Sequence, residues 1–138
     1  MKINKLHIAL LLILSCSGIT PTLKAQEKMT EFDKNFVHTV FFWLHNPGDQ
    51  EDRTAFETSL KKFLNSSLYA NTHFIGTPAN TPRDVVDSSY TYSLVLTFPS
   101  KEIQNKYQSE EAHLLFIEES AHLWDKVIVY DSVGIKGY

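Results

Sequence analysis

The sequence predicts a single α+β domain of the ferredoxin-like type, βαββαβ, with a broken second helix. Segments whose apolar residues alternate with period two are separated by segments with helical spacing, and the second helical segment contains a second helix-start signal. The resulting order of strand, helix, strand, strand, helix and strand is the split βαβ arrangement. A chain of 138 residues has room for one such domain and a short leader.

The first predicted strand, residues 35–45, reads NFVHTVFFWLH and is followed by the turn-forming NPGD. Its side chains alternate between two faces. One face carries Phe36, His38, Val40, Phe42 and Leu44, and the other carries Val37, Thr39, Phe41 and Trp43. Because both faces are largely apolar, this strand is expected to be covered on both sides.

The next elements follow from spacing and turn residues. Phe56, Leu60, Phe63 and Leu64 recur at helical spacing, and Asp49 is placed to cap that helix. The segment THFIGTPA is predicted as the second strand, and NTPRDVVDSS as a loop rich in turn residues. The segment YTYSLVLTF then alternates as the third strand and stops at a proline.

The second helix begins after Ser100, a good cap residue, and contains Tyr107 and His113. On one unbroken helix, positions six apart point about 240° away from each other. Ser109 followed by two glutamates is a second helix-start signal, so a new helix is predicted from here to about residue 122. The break would let Tyr107 and His113 converge. The segment KVIVYDSV is the last strand.

Helices on one side leave the other face of the sheet open, yet the first and third strands carry large apolar groups there as well. The expected cover is a second copy of the chain, the two sheets meeting face to face as a dimeric α+β barrel. The sequence therefore predicts a homodimer, although a buried ligand cavity would also use an apolar face.

Residues 1–25 have the layout of a secretory signal peptide: a short basic head, an apolar run from Leu6 to Leu14, and small residues before Ala25. Cleavage after Ala25 predicts an exported protein with a flexible linker at residues 26–34 and a domain at residues 35–138. An alternative is a lipoprotein anchored through Cys16, although Leu14 fits that signal poorly. The apolar run is too short for a membrane span.

From residue 26 onward the chain has 10 basic and 16 acidic residues, a formal net charge of −6. This balance argues against nucleic acids and anionic membrane surfaces as partners. Cys16 is the single cysteine, so no disulfide is expected. The helical pairs Glu110–His113 and Glu119–His122 offer two ligands each, so no metal is predicted, and no phosphate-binding loop or other cofactor motif is present.

Three segments resemble the stress-responsive A/B barrel (Dabb) domain family of the dimeric α+β barrel superfamily. They are VHTVFFWL at Val37–Leu44, the Tyr-x5-His element followed by LLF, and the closing WDKVIVYDSV. The resemblance spans residues 35–133. Where the family usually has His-Pro-x-His, this chain has Glu110-Glu111-Ala112-His113, so the helix-breaking proline is missing.

The resemblance also implies site residues. A plant cyclase of this family closes linear polyketide thioesters by an aldol reaction with a histidine and a tyrosine at the broken helix, which fall on His113 and Tyr107. A first-strand histidine falls on His38, and a third-strand histidine is replaced by Tyr92. The implied roles are acid–base catalysis for His113 and Tyr107 and ligand binding for His38 and Tyr92, and packing or structural hydrogen bonds would explain the same residues.

Three functions remain open at this point. The first is an exported homodimer that holds a small hydrophobic molecule in an apolar cavity. The second is a lyase or cyclase that uses Tyr107 and His113 for acid–base chemistry on a carbonyl compound. The third is a structural dimer without a ligand. Export favours the first, because the thioester substrates of cyclases are intracellular.

Overall fold

The computed structural model describes residues 31–137. The predicted signal peptide, with its cleavage site at Ala25 and the alternative anchor Cys16, lies outside the described residues, as do the first five residues of the predicted linker. Within residues 31–137, no helix has the length and apolar character needed to cross a membrane.

The observed elements follow the predicted order, and the α+β ferredoxin-like prediction is confirmed. The strands are β1 (Phe36–Leu44), β2 (Thr72–Gly76), β3 (Tyr92–Phe98) and β4 (Trp124–Val133). The helices are α1 (Gln50–Ser66), α2 (Lys101–Gln108) and α3 (Glu111–Ser120), and a 3-10 turn (Ala121–Leu123) leads into β4. The sheet is antiparallel in the order β2-β3-β1-β4. The broken second helix is therefore present as two helices, α2 and α3.

The two faces of β1 differ in burial, because the helices cover only one of them. His38, Val40 and Phe42 are buried on the helix side, whereas Phe41 and Trp43 on the other side are half-buried. The buried core is dominated by aromatic and aliphatic side chains of β1, β3 and the three helices. Such burial is the main favourable contribution to folding.

The predicted caps of the first two helices are present. The Asp49 side chain accepts a hydrogen bond from the Asp52 backbone N–H, 2.9 Å away, at the start of α1. The Ser100 hydroxyl accepts from the Ile103 backbone N–H at 3.3 Å at the start of α2. Each cap satisfies a donor that the first turn leaves unpaired.

The break falls where it was predicted, but Ser109 is not the cap of the following helix. Ser109 ends α2, and its hydroxyl donates to the Lys106 carbonyl oxygen at 3.1 Å. Glu110 is the residue that precedes α3, and its side chain makes no hydrogen bond to the first turn of that helix. The Glu110 carboxylate is bonded instead to the end of α1.

The sheet face opposite the helices, here called the open face, carries several aromatic side chains and is partly crossed by the loop of residues 77–91. Tyr90 packs edge-on against Phe41, with ring centroids 4.9 Å apart, and the Trp43 indole N–H donates to the Ser89 hydroxyl at 3.1 Å. The Lys126 ammonium lies 4.3 Å from the centre of the Trp43 ring. These contacts hold the loop beside the open face without covering it.

The start of β1 and the end of β4 are tied together. The Gly134 backbone N–H donates to the Asn35 carbonyl oxygen at 3.0 Å. A Cβ at Gly134 would collide with the carbonyl oxygen of Lys34, so this close approach requires glycine. Nearby, the Asp33 backbone N–H donates a hydrogen bond to the Thr97 hydroxyl at 3.4 Å. Residues 33–35 therefore lie against the sheet.

Candidate functional site

A cavity of about 360 Å³ lies between the helix side of the sheet and the broken helix. Its walls are apolar over most of their extent, and its polar groups are contributed by β1, β4 and the α2–α3 break. The apolar residues are Val40, Phe42, Leu94, Phe116, Ile117, Trp124, Val127 and Val129. The polar residues are His38, Tyr107, Gln108, His113 and Asp131. An apolar enclosure with a few polar groups is the usual form of a small-molecule site.

His38 and Asp131 form a hydrogen-bonded pair in this cavity. They are direct neighbours in the pairing of β1 with β4, and His38 Nδ1 is 2.6 Å from Asp131 Oδ1. A carboxylate oxygen accepts and the ring Nδ1–H donates, so Asp131 sets the orientation of the imidazole. The His38 side chain is 5% exposed and that of Asp131 is 45% exposed. The carboxylate thus fixes the ring while remaining in contact with water.

Tyr107 packs between the two histidines. Its ring centroid is 5.7 Å from that of His38 and 4.6 Å from that of His113. Burial raises the pKa of Tyr107 well above its ordinary value, and the nearby Glu110 and Asp131 carboxylates raise it further. The Tyr107 hydroxyl makes no hydrogen bond to another of residues 31–137. It stays protonated near neutral pH and can donate to a ligand oxygen.

His113 is half-buried at the start of α3, and its Nδ1 is 3.2 Å from the carbonyl oxygen of Gln108 at the end of α2. Because a carbonyl only accepts, this contact assigns the proton to Nδ1 and leaves the Nε2 lone pair available. Burial lowers the pKa of His113 below 6.5, the Gln108 contact opposes this, and the neighbouring His38 lowers it further. A neutral His113 can therefore accept a proton near pH 7.

Tyr92 lies away from this group, toward the other end of β3. Its hydroxyl donates to Glu57 Oε1 on α1 at 2.7 Å, and its ring stacks on Phe56 with centroids 4.9 Å apart. Burial and the Glu57 hydrogen bond raise the pKa of Tyr92 to about 12. Tyr92 does not line the cavity, so the structure brings together three of the four predicted site residues.

Two polar residues of the cavity were not singled out from the sequence. Asp131 follows Val127 and Val129 on one face of β4. The sequence feature that could have identified Asp131 is therefore a single carboxylate in an otherwise apolar alternation. Gln108 contributes its backbone carbonyl, which the residue type does not reveal. Among residues 31–137, no group of three or more potential ligands is arranged to hold a metal ion.

Taken together, the cavity places a neutral histidine, a protonated tyrosine and a carboxylate-oriented histidine at the end of an apolar space. The histidine can take a proton from a bound molecule, and the tyrosine can donate a hydrogen bond to an oxygen on which negative charge develops. The same groups can also bind a polar substituent of a ligand without changing it.

The model of a known family, described as the Stress responsive A/B Barrel Domain, matches residues 36–133. No curated protein matches the chain in sequence. The match contains β1, the α2–α3 break and β4, and therefore all the residues of the cavity.

Several solved structures share the fold. A Dabb family protein with a ferredoxin-like fold from Mesorhizobium loti is 19% identical, with a TM-score of 0.61, over 72% of this chain and 96% of that one. A hydroxynitrile lyase from Passiflora edulis is 16% identical, with a TM-score of 0.64, over 76% of this chain and 98% of that one. A dimeric ferredoxin-like protein of unknown function from Thermobifida fusca is 12% identical, with a TM-score of 0.60, over 75% of this chain and 94% of that one. At these identities the likeness concerns the fold.

Proposed function

Because the chain belongs to the stress-responsive A/B barrel domain family, we propose that it is an exported homodimer whose subunits each bind a small, largely apolar molecule with one polar group. The observation that carries this proposal is the cavity of about 360 Å³, apolar in its walls and polar at the His38–Tyr107–His113 group. Pockets for small ligands begin at about 300 Å³. An open cavity supports a ligand-binding role over a structural dimer with a filled interior.

Export is proposed from residues 1–25, whose basic head, apolar run and small residues before Ala25 form a signal-peptide pattern. Anchoring through Cys16 is the alternative form of export.

The homodimer is proposed from the open face. Phe74 and Tyr130 are 60% and 59% exposed there, beside the half-buried Phe41 and Trp43, and a second copy would remove this surface from water. The dimeric neighbour of the same fold supports this assembly.

Blocking the opening of the cavity should weaken binding, and Val129→Trp places a large side chain at that opening. Val129 lines the cavity wall yet is 46% exposed, so the indole can lie across the opening rather than enter the core. Benzaldehyde, an apolar ring with one carbonyl group, serves as the probe. We expect its affinity for the protein to fall at least about tenfold, which corresponds to about 1.4 kcal/mol. Affinity is measured from benzaldehyde titrations of the ¹H–¹⁵N spectrum of the full chain.

The matched control is Val133→Trp. Val133 lies on the same face of β4 and is 72% exposed, but it does not line the cavity, so its replacement should leave the affinity within about twofold. Equal affinities for the wild-type chain and Val129→Trp would contradict binding in this cavity. So would benzaldehyde-induced shifts confined to residues outside it.

A second candidate function is lyase-type or cyclase-type acid–base catalysis in the same cavity. The specific observation that favours it is the His38–Asp131 hydrogen bond of 2.6 Å beside a second histidine whose pKa is lowered by burial. In such a reaction His113 Nε2 takes the proton, and the Tyr107 hydroxyl stabilises the developing oxyanion or protonates it. The fold-related hydroxynitrile lyase supplies a first test substrate class.

Mandelonitrile tests this candidate. Removal of its hydroxyl proton by His113 would form the carbonyl of benzaldehyde as the bond to cyanide breaks, and the cyanide would leave as hydrogen cyanide after taking a proton. Benzaldehyde release is followed by absorbance. His113→Ala should slow turnover about 10²–10⁴-fold, whereas His122→Ala, on the exposed 3-10 turn, should not. The lowered pKa of His113 also predicts the pH dependence of turnover. His113 is neutral at pH 7, so turnover should persist there, and it should fall as the pH drops below the pKa of His113 and the ring becomes protonated. Turnover equal to wild type in His113→Ala would exclude this role.

A further inference from the structure

The carboxylate of Glu110 joins the break between α2 and α3 to the end of α1. Its Oε1 accepts a hydrogen bond from the Ser67 hydroxyl at 2.7 Å, and its Oε2 accepts from the Leu68 backbone N–H at 3.0 Å. Glu110 is 8% exposed, although it has a carboxylate in a surface connection between helices. A buried carboxylate is costly unless it is hydrogen-bonded, and here both oxygens are.

The backbone of Glu110 is the extended part of the two-residue connection between α2 and α3. Its φ of −70° and ψ of 146° are extended, and it follows Ser109, whose φ of −108° and ψ of 4° end α2. Its N–H donates to the Tyr107 carbonyl oxygen at 3.2 Å, and its carbonyl oxygen accepts from the Leu114 N–H at 3.1 Å. If Ser109 and Glu110 both became helical, α2 and α3 would join, and Tyr107 and His113 would then point about 240° apart.

Local sequence does not account for this extended residue. Glutamate is a good helix former, no proline follows it, and neither Ser109 nor Glu110 caps α3 with its side chain. The contact that holds residue 110 is therefore remote in sequence, since Ser67 is 43 positions away.

We infer that Glu110 is a positioning residue, which fixes the α2–α3 break through Ser67 and Leu68 and so holds the Tyr107 ring against His113. The inference rests on the proposed function in so far as these two side chains form the proposed site. Glu110 acts here through backbone geometry, in the place of a helix-breaking proline.

The Glu110 charge has a second effect that the experiment must separate from the first. The carboxylate raises the pKa of Tyr107, and it raises that of His113 against the larger effect of burial. Removing the carboxylate therefore changes the electrostatics of the site even where the break is preserved. A substitution that restores the break without the charge distinguishes the two effects.

Proline at position 111 is such a substitution. Glu111 is the first residue of α3, where proline is favoured, and proline biases the residue before it toward the extended conformation that Glu110 has. The four chains to compare are the full-length wild type, Glu110→Ala, the double variant Glu110→Ala/Glu111→Pro, and the matched control Glu111→Gln. Glu111 is exposed, so the control removes a neighbouring charge without touching the contact with α1.

The measurement is the nuclear Overhauser effect between ring protons of Tyr107 and His113, whose ring centroids are 4.6 Å apart. We expect the effect in wild type and Glu111→Gln, its loss in Glu110→Ala, and its return in the double variant with a His113 pKa below the wild-type value. The melting temperature of Glu110→Ala should fall by roughly 4–8 °C, because the half-buried Ser67 hydroxyl and the Leu68 backbone N–H lose their acceptor.

An unchanged Tyr107–His113 effect in Glu110→Ala would overturn the inference, as would failure of proline to restore it. If Glu110→Ala does not fold, Ser67→Ala decides the matter: partial loss of the effect supports the inference and an unchanged effect overturns it. Absence of the effect in the wild-type chain would instead contradict the convergence on which the proposed function depends. The two failures are therefore distinguishable.

Discussion

Replacing Phe56 with alanine is expected to lower the free energy of unfolding by about 3–5 kcal/mol. Phe56 is fully buried on α1, and its ring centroid lies 5.0 Å from Phe42, 4.9 Å from Tyr92, 6.0 Å from Phe116 and 6.1 Å from Trp124. Removing the ring eliminates these aromatic contacts and leaves a cavity that the close-packed neighbours can only partly fill.

The loss is measured by urea unfolding followed by circular dichroism at one protein concentration, because dimerisation would make stability depend on concentration. Phe32→Ala is the control, since Phe32 is 50% exposed and its removal should change stability by no more than about 0.5 kcal/mol. Three of the side chains around Phe56 line the cavity, so the variant should also bind benzaldehyde less tightly. A loss below about 1 kcal/mol would show that Phe56 is not central to the core.

Replacing Phe41 with aspartate is expected to convert the proposed homodimer into a folded monomer. Phe41 is half-buried on the open face between Tyr90 and Tyr130, with ring centroids 4.9 and 6.2 Å away. Two-fold symmetry places the substitution in both subunits, and each would bring an unpaired carboxylate into the interface. We expect dissociation to become at least about 10³-fold more favourable, or about 4 kcal/mol.

Light scattering of the full chain at micromolar concentration reports the assembly, and circular dichroism reports whether the monomer remains folded. Leu114→Asp is the matched control, because Leu114 is 55% exposed on α3, away from the open face. A wild-type chain that is monomeric at micromolar concentration would exclude the dimer itself. A Phe41→Asp chain that stays dimeric would locate the interface on another surface.

The sequence determined most of the fold because its local signals agree with its tertiary packing. The two apolar sets of β1 and the caps Asp49 and Ser100 all depend on residues close together in the chain, and each is present in the structure. The break after α2 was also placed correctly. Its cause was not, because the Glu110 contact with Ser67 arises from helix packing between residues 43 apart. Capping rules describe only the local partner.

The site was predictable in part for the same reason. Tyr107 and His113 meet because of a local event, the helix break, whereas the Asp131 partner of His38 depends on the register between β1 and β4. Register is set by the pairing of whole strands, so one carboxylate in β4 could not be assigned to one histidine in β1 beforehand. Tyr92 shares the helix side of the sheet with His38, but position along the strand separates it from the cavity.

The hydrogen bond from Gly134 to Asn35 gives the domain an almost cyclic topology. The backbone entering β1 and the backbone leaving β4 are already adjacent, at an N–O distance of 3.0 Å. A few added residues can therefore join these two points, and the chain can be opened instead in loop 77–91, with every strand pairing kept. Circular permutation and insertion into a host protein are thus compatible with this fold, and in either arrangement the cavity residues keep their order in space.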